Sequence, residues 1–180
     1  MANTSLEKLW MLAQIEADKR CTKPEYVFGE VGLYLKIPPV NQGYYPTPIN
    51  TSTFAETQGD SVHYGLMRIN GNVADSSPVI MTVPCNYGGQ TNFVLGENLL
   101  DFLRLGCEVG YFSLEQLAYR RDDFIDYLSH PDREECEAGD QELLDVLRQS
   151  LSLKPWGSVQ ERLEQLHEKY HSLLELPPGD

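Results

Sequence analysis

Two hydrophobic periods follow one another along this chain, and the change falls near Gly96. Before Gly96, short segments rich in Val, Ile, Phe and Tyr are separated by turn residues, which is the pattern of β-strands. After it, apolar residues recur every three or four positions, which predicts helices. Together with an amphipathic N-terminal segment, this order of helix, strands and helices predicts an α+β domain.

The N-terminal segment predicts a helix that begins after Thr4 and ends near Arg20. Thr4 and Glu7 have the spacing of a capping box, in which each side chain accepts a hydrogen bond from the other residue's backbone N–H. The apolar positions expected on its buried face are Leu6, Leu9, Trp10, Ala13 and Ala17.

Strand-like segments before Gly96 lie at residues 26–37, 62–69, 79–83 and 91–95. Residues 38–53 are dense in Pro, Gly and Asn, so we predict a long loop there. The later connections are short and rich in turn residues, which favours antiparallel neighbours because parallel strands need a long crossover. We expect an antiparallel sheet of about four to six strands flanked by helices.

Helical patterns after Gly96 lie at residues 98–105, 113–119, 123–128, 140–151 and 158–174. The apolar stripe of the last helix is predicted to contain Val159, Leu163, Leu166, Tyr170 and Leu173. We expect residues 1–110 to form the α+β core. Residues 111–180 are expected to form a helical C-terminal extension packed on the same domain.

The charge of the chain is strongly negative and unevenly distributed. The formal net charge is −13 at pH 7; residues 1–96 carry eight acidic and six basic side chains, and residues 97–180 carry nineteen and eight. Such a surface repels nucleic acid phosphates and attracts basic partners, although acidity also serves solubility. We therefore expect a protein partner and no nucleic acid.

The sequence also indicates the cellular compartment in which the protein is expected. It has no run of eighteen apolar residues and no basic segment followed by a long apolar one, so we expect neither a membrane span nor a signal peptide. Cys21, Cys85, Cys107 and Cys136 are widely spaced and form no C-x-x-C pair, which suits a reducing environment. We expect a cytoplasmic protein.

The segment HEKYH near the C-terminus has the H-E-x-x-H spacing of zinc peptidases. In such an enzyme His167 and His171 would bind zinc from one helix face, with Glu168 as general base. The third ligand has no candidate, because Leu174 and Pro177 stand where one class of these enzymes has Gly and His, and no later helix supplies a Glu. We interpret HEKYH as the surface of a terminal helix and expect no metal.

A second candidate for catalysis comprises Asp60, His63 and Cys85. His63 and Cys85 lie on or beside predicted strands that are neighbours, which allows a Cys–His nucleophile pair, and Asp60 with His63 allows an acid–base pair. The simpler interpretation is that Cys85 is a small core residue and Asp60 belongs to a turn. No cofactor motif is present, and a hydrolytic enzyme around these three residues is kept as the alternative function.

Residues 47–106 are distinctive as a whole because several short motifs follow one another there. In chain order they are Phe54, Ala55 and Thr57; Gly59 and Asp60; His63, Tyr64 and Gly65; an apolar strand and polar loop over 79–86; Gly96 and Asn98; and Phe102 and Leu103. The segment ends in V-L-G-E-N-L-L-D-F-L, where a strand runs into a helix. This set of motifs, over about a third of the chain, resembles the SUKH superfamily, which has the SMI/KNR-like fold.

The resemblance implies an α+β domain that binds rather than catalyses. Bacterial members are immunity proteins that neutralise toxins, often nucleases, and eukaryotic relatives are regulatory scaffolds. We therefore predict a non-enzymatic protein-binding domain, whose partner is a basic toxin of nuclease type. A domain of another fold with an interaction or structural role stays open.

Loop 38–53 is the first candidate for the partner-binding surface, because Tyr44 and Tyr45 stand side by side in it. Tyrosines on a proline-rich loop offer contact area with little loss of entropy. In the alternative, both rings pack back onto the sheet and hold the loop down. The complete predicted set of partner-binding residues is Tyr44, Tyr45, Asp60, His63 and Tyr64.

Overall fold

A five-stranded antiparallel sheet organises the chain, in a computed structural model that describes residues 4–130 and 138–178, with the backbone alone of residues 138–140. Consecutive strands are neighbours throughout, in the order β1-β2-β3-β4-β5. This confirms the predicted α+β class and the antiparallel sheet. The strands are β1 (Tyr34–Val40), β2 (Thr51–Glu56), β3 (His63–Met67), β4 (Val79–Thr82) and β5 (Asn92–Gly96).

Helices precede and follow the sheet, as predicted. The α-helices of the described residues are α1 (Ser5–Arg20), α2 (Leu99–Gly106), α3 (Gln116–Tyr119), α4 (Arg121–Ser129), α5 (Ala138–Ser150) and α6 (Val159–Tyr170). Short 3₁₀ helices lie at Gly29–Val31, Phe112–Glu115 and His171–Leu173.

Side chains cap two helix starts, and the sequence predicts the first of them. At α1 the hydroxyl of Thr4 accepts from the backbone N–H of Glu7 (3.2 Å), and the Glu7 carboxylate accepts from the N–H of Thr4 (2.7 Å), which is a complete capping box. At α2 the side chain of Asn98 accepts from the N–H of Asp101 over 2.9 Å. Both caps pair N–H groups that a helix start otherwise leaves open.

The two faces of the sheet carry separate apolar clusters. Tyr64 and Leu66 of β3 belong to the larger cluster, and Met67, on the opposite face, belongs to a smaller cluster covered by α6. The segment that runs from β5 into α2 contributes large side chains to the larger cluster. Among them are Phe93, Leu95, Leu99, Phe102 and Leu103, which are all buried.

Residues 26–33 do not form the predicted strand, which begins only at Tyr34. Their apolar side chains are mostly buried, but the backbone turns through the 3₁₀ helix Gly29–Val31 and then through Gly32, with φ +85°. A Cβ at Gly32 would overlap the backbone nitrogen of Phe112, so a tertiary contact fixes a bend where the pattern predicts extension.

The predicted loop is shorter than expected, at residues 41–50. Pro38 and Pro39 belong to the edge strand β1, which tolerates proline because one side of it has no strand partner. In the last helix, the predicted burial of Leu173 is wrong, because the side chain is 54% exposed beyond the end of α6.

The C-terminal helix α6 is joined to the β5–α2 connection by a polar network. The carboxylate of Asp101 accepts from a guanidinium nitrogen of Arg162 (2.7 Å) and lies 3.1 Å from the indole nitrogen of Trp156. Glu97 accepts from the same guanidinium (3.1 Å) and from the ammonium of Lys169. The predicted domain division near residue 110 stays a prediction; side chains from both sides of it share the larger cluster.

Candidate functional site

Four connecting segments meet at one end of the sheet. The β2–β3 and β4–β5 turns, at residues 57–62 and 83–91, lie at the same end because consecutive strands are antiparallel. Residues 112–119 pack beside the first turn, and loop 41–50 folds across the sheet toward both turns. We call the surface formed by these four segments the turn face.

Loop 41–50 is held against the sheet by buried polar side chains. The Asn92 side-chain amide donates to the carbonyl oxygen of Pro46 over 2.9 Å, and the hydroxyl oxygen of Thr47 lies 3.1 Å from Nε2 of His63. The ring of Tyr44 lies over the same imidazole, with ring centroids 5.6 Å apart. These contacts fix the backbone of the loop while leaving its outer side chains in solvent.

Exposed aromatic side chains concentrate on the turn face. Among the described residues, six Tyr, Phe or Trp side chains are exposed, and all but Tyr26 lie here. Tyr45 is 68% exposed and Tyr87 is 90% exposed, so their rings make little contact with the rest of the chain. The turn-face aromatic residues are Tyr44, Tyr45, Tyr87, Phe112 and Tyr119.

A cleft of about 320 Å³ separates Tyr45 from Tyr87. None of the described residues that line it is charged. We call this cavity the Tyr45–Tyr87 cleft. Three prolines and one leucine form much of its remaining wall: Pro46, Pro84, Leu176 and Pro177.

The C-terminal segment forms one wall of this cleft because it is hydrogen-bonded to loop 41–50. The backbone N–H of Ile49 donates to the carbonyl oxygen of Glu175 over 2.7 Å. The Asn50 side chain donates to the carbonyl of Leu173 (2.9 Å) and accepts from the N–H of Glu175 (3.1 Å). Leu176 and Pro177 are thereby placed against the cleft.

A second concavity on the turn face, of about 260 Å³, carries two carboxylates. It is lined by Asp60 and Glu115, with the ring of Phe112 beside them, and we call it the carboxylate pocket. Burial raises the pKa of Glu115, and the charge of Asp60 raises it further. The two carboxylates are therefore close enough to repel each other, and a cation between them would relieve that repulsion.

The structure separates the predicted partner-binding residues into two groups. Tyr44, Tyr45 and Asp60 are exposed on the turn face. His63 and Tyr64 are buried, which corrects the prediction that their side chains lie in the contact surface. His63 faces the underside of loop 41–50, and Tyr64 points into the larger cluster, where its hydroxyl donates to the backbone carbonyl of Tyr111 over 2.5 Å.

The residues of the alternative hydrolytic site do not form a catalytic arrangement. Nδ1 of His63 donates to the carbonyl oxygen of Ser61 over 2.8 Å, and its Nε2 lies against Thr47, so both ring nitrogens have partners other than Cys85. The thiol of Cys85 lies 3.8 Å from the carbonyl oxygen of Asp60. No Cys–His or Asp–His pair is therefore present among these three residues.

The HEKYH histidines lie at the surface of α6 and just beyond it. The rings of His167 and His171 stack on each other with centroids 4.3 Å apart, and Glu168 is exposed. Within residues 4–130 and 138–178, no group of three or more His, Cys, Asp or Glu side chains could hold a metal ion.

Sequence reasoning missed Tyr87, Phe112, Glu115 and Tyr119, which belong to the turn face only through the sheet topology. For Tyr87 a signal existed, since a large aromatic residue in the turn segment YGGQ has few neighbours to pack against. Comparisons of the chain with protein-family models, with curated proteins and with solved structures found no match. Across the described helices, none combines the length and apolar character needed to cross a membrane.

Proposed function

We propose that the chain is a non-enzymatic protein-binding domain that uses the turn face to bind a basic protein. The observation that carries the proposal is the concentration of exposed aromatic side chains around two cavities, one of which holds Asp60 and Glu115. Exposed Tyr and Phe clusters are typical of contact surfaces, because large rings bury much area for few rotatable bonds.

The charge of the turn face supports a basic partner. No Lys or Arg among the described residues lines either cavity, so no basic side chain of the chain itself lies between Asp60 and Glu115. A Lys or Arg of the partner gains ion pairing from the carboxylates and cation–π contact from Phe112 or Tyr119. The overall charge of −13 adds long-range attraction.

The resemblance of residues 47–106 to SUKH immunity proteins supports the same proposal and narrows the partner to a toxin. Nuclease toxins need basic surfaces to hold nucleic acid, and an acidic protein can cover such a surface. We accordingly propose that the domain acts in the bacterial cytoplasm. Free thiols at Cys21, Cys85 and Cys107 are compatible with that compartment.

Charge reversal at the carboxylate pocket tests the proposal. Immobilised wild-type chain and the Asp60→Lys variant are incubated with lysate of the source cell, and retained proteins are identified by mass spectrometry. The control is Asp18→Lys, which makes the same charge change at an exposed position of α1. We expect a basic protein that is retained by the wild type and by Asp18→Lys but not by Asp60→Lys. The same set of proteins on all three, an empty set included, would contradict the proposal.

The kinetics of the retained partner separate steering from contact. Because long-range steering acts on association and is screened by salt, we expect the association rate constant to fall several-fold between about 20 mM and about 150 mM salt. Replacing Tyr44 and Tyr45 together by Ala should raise the dissociation rate and leave the fold intact. Salt-independent association would remove the charge argument, and unfolding of the double variant would assign the two rings to stability instead of contact.

A further inference from the structure

The Tyr45–Tyr87 cleft has the properties of a site for an extended peptide. Its flanking rings are largely exposed, its lining in the described residues is uncharged, and prolines at positions 46, 84 and 177 stiffen its walls. Grooves between exposed aromatic rings bind polyproline II segments, because the ridges of such a helix fit between rings.

The chain's own C-terminal segment indicates which chemistry this cleft accepts. Leu176 and Pro177 lie along one side, in a segment fastened to Ile49 and Asn50 by three hydrogen bonds. Leu174, where this segment begins, has φ −72° and ψ 125°, near the polyproline II values of roughly −75° and +145°. The cleft therefore already packs an extended, proline-containing segment against one wall.

The carboxylate pocket adjoins the cleft across a single turn. Pro84 and Tyr87 line the cleft, and Cys85 between them contacts the backbone of Asp60. The uncharged cleft and the pocket with two carboxylates have no lining residue in common and lie on either side of this turn. A ligand that matches both needs an apolar, extended body and a positive charge at one end.

We propose that the Tyr45–Tyr87 cleft binds a proline-rich, extended segment of the protein partner, and that a basic residue at the end of this segment enters the carboxylate pocket. This inference rests on the proposed function and specifies what the turn face recognises. Tyr45 and Tyr87 pack against the prolines of the bound segment, and Asp60 and Glu115 pair with its Arg or Lys.

The physics of the polyproline II helix fits both parts of the site. Its backbone makes no internal hydrogen bonds, so its carbonyl groups are free to accept from the hydroxyls of Tyr45 and Tyr87. Its prolines fix the backbone conformation of the segment before binding, which lowers the conformational entropy that the segment loses when it binds to the turn face. A guanidinium group adds a planar cation that can pair with carboxylates and stack on the ring of Phe112.

Peptide titration tests the inference directly. The full chain is titrated into rhodamine-labelled RPPLPPLPP and PPLPPLPPR, which present the basic end in both directions, and fluorescence anisotropy is recorded. We expect saturable binding of at least one peptide with a Kd below about 100 µM. Replacing its Arg by Glu should weaken binding at least about tenfold, and replacing every Pro by Gly should weaken it by a similar factor. Absence of binding up to about 1 mM, or binding that ignores both replacements, would overturn the inference.

Variants of the chain locate the bound peptide. Tyr87→Ala should weaken binding at least about fivefold, and Tyr26→Ala, the control at the exposed tyrosine that packs beside Tyr34, should not change it. Asp60→Asn should weaken binding of the Arg peptide more than binding of its Gln analogue. Equal effects of Tyr87→Ala and Tyr26→Ala would place the peptide elsewhere and overturn the inference.

The outcomes distinguish this inference from the proposed function. If neither peptide binds while Asp60→Lys still abolishes retention of a basic partner, the partner uses a folded surface, and only the inference fails. If Asp60→Lys also leaves retention unchanged, both fail.

Discussion

Nε2 of His63 lies 3.1 Å from the hydroxyl oxygen of Thr47, and this contact fastens loop 41–50 to strand β3. Because Nδ1 of the same ring donates to the carbonyl of Ser61, the neutral ring has no proton on Nε2, which accepts from the Thr47 hydroxyl. A protonated ring would have to donate from Nε2 instead and would place a charge in this buried site. The docking of the loop that carries Tyr44 and Tyr45 is therefore sensitive to protonation of His63.

Acidification should loosen loop 41–50. Burial lowers the pKa of His63 below its ordinary value of 6.5; the bond to Ser61 and the charge of Glu56 oppose this effect, and the charge of Lys36 adds to it. A lowered pKa in the folded state means that this stabilisation is present above about pH 6.5 and is lost as the pH falls through the folded-state value. We expect hydrogen exchange of residues 41–50, corrected for intrinsic rates, to rise between about pH 7.5 and about pH 5.

The control for this prediction is His63→Gln, which cannot titrate. Whatever the rate at which its loop exchanges, the dependence of that rate on pH should disappear. If the variant kept the dependence of the wild type, another group would be responsible.

Phe102 should be a principal contributor to stability. Its ring is fully buried at the centre of an aromatic cluster, with centroids 4.8 Å from Tyr64, 5.3 Å from Tyr111 and 5.9 Å from Phe54. We expect Phe102→Ala to lower the free energy of unfolding by about 3–5 kcal/mol, through lost burial and the cavity left behind. Phe112→Ala, at a ring that is 42% exposed, should cost less than about 1 kcal/mol. Chemical denaturation of both variants measures this difference, and equal costs would contradict the packing described.

The elements that the sequence predicts best are those with local causes. The Thr4–Glu7 capping box involves residues three apart, so spacing alone identifies it. The strand prediction fails at residues 26–33 because Val27, Val31 and Leu33 imitate strand periodicity. Their backbone bends instead, at a glycine whose close neighbour, Phe112, is about eighty residues away.

The turn face could be predicted only in part, for a related reason. Tyr44 and Tyr45 are recognisable in the sequence as a pair in a proline-rich loop. The proximity of Tyr87, Phe112 and Tyr119 can be recognised only once the order of the strands is known. The prediction that Tyr64 lies at the surface failed because the sequence does not show whether a face of β3 is covered. Both faces of β3 are covered, so its five residues are all buried and show no alternation that would distinguish core from surface.

The HEKYH segment should not bind stoichiometric zinc. His167 and His171 present two imidazoles, and within the described residues no third ligand joins them. We expect elemental analysis of protein purified without an affinity tag to give far less than one zinc per chain. Added zinc should raise the Tm of the wild type no more than that of His167→Ala. A stoichiometric metal that is lost in His167→Ala would contradict this interpretation.

Asp101 should hold the C-terminal helix against the sheet. Its buried carboxylate accepts from the backbone N–H of Glu97 (2.9 Å) and from Arg162 (2.7 Å), and the indole nitrogen of Trp156 lies 3.1 Å away. Asp101→Ala removes this acceptor; the indole of Trp156 keeps the backbone carbonyl of residue 101 (3.0 Å) and Arg162 keeps Glu97, but the N–H of Glu97 loses its side-chain acceptor. We expect a loss of about 2–3 kcal/mol in the free energy of unfolding, because that N–H retains its desolvation cost and Arg162 loses the buried half of its ion pairs.

Glu97→Gln is the matched control, since it changes a carboxylate in the same network at its outer edge. Hydrogen bonds from Lys169, Arg162 and Tyr170 lower the pKa of Glu97 to about 2, but the side chain is 37% exposed, so solvent screens these pairs. We therefore expect Glu97→Gln to cost only about 1 kcal/mol in denaturant titrations at neutral pH. If Glu97→Gln cost as much as Asp101→Ala, the exposed ion pairs rather than the buried carboxylate would hold α6 in place.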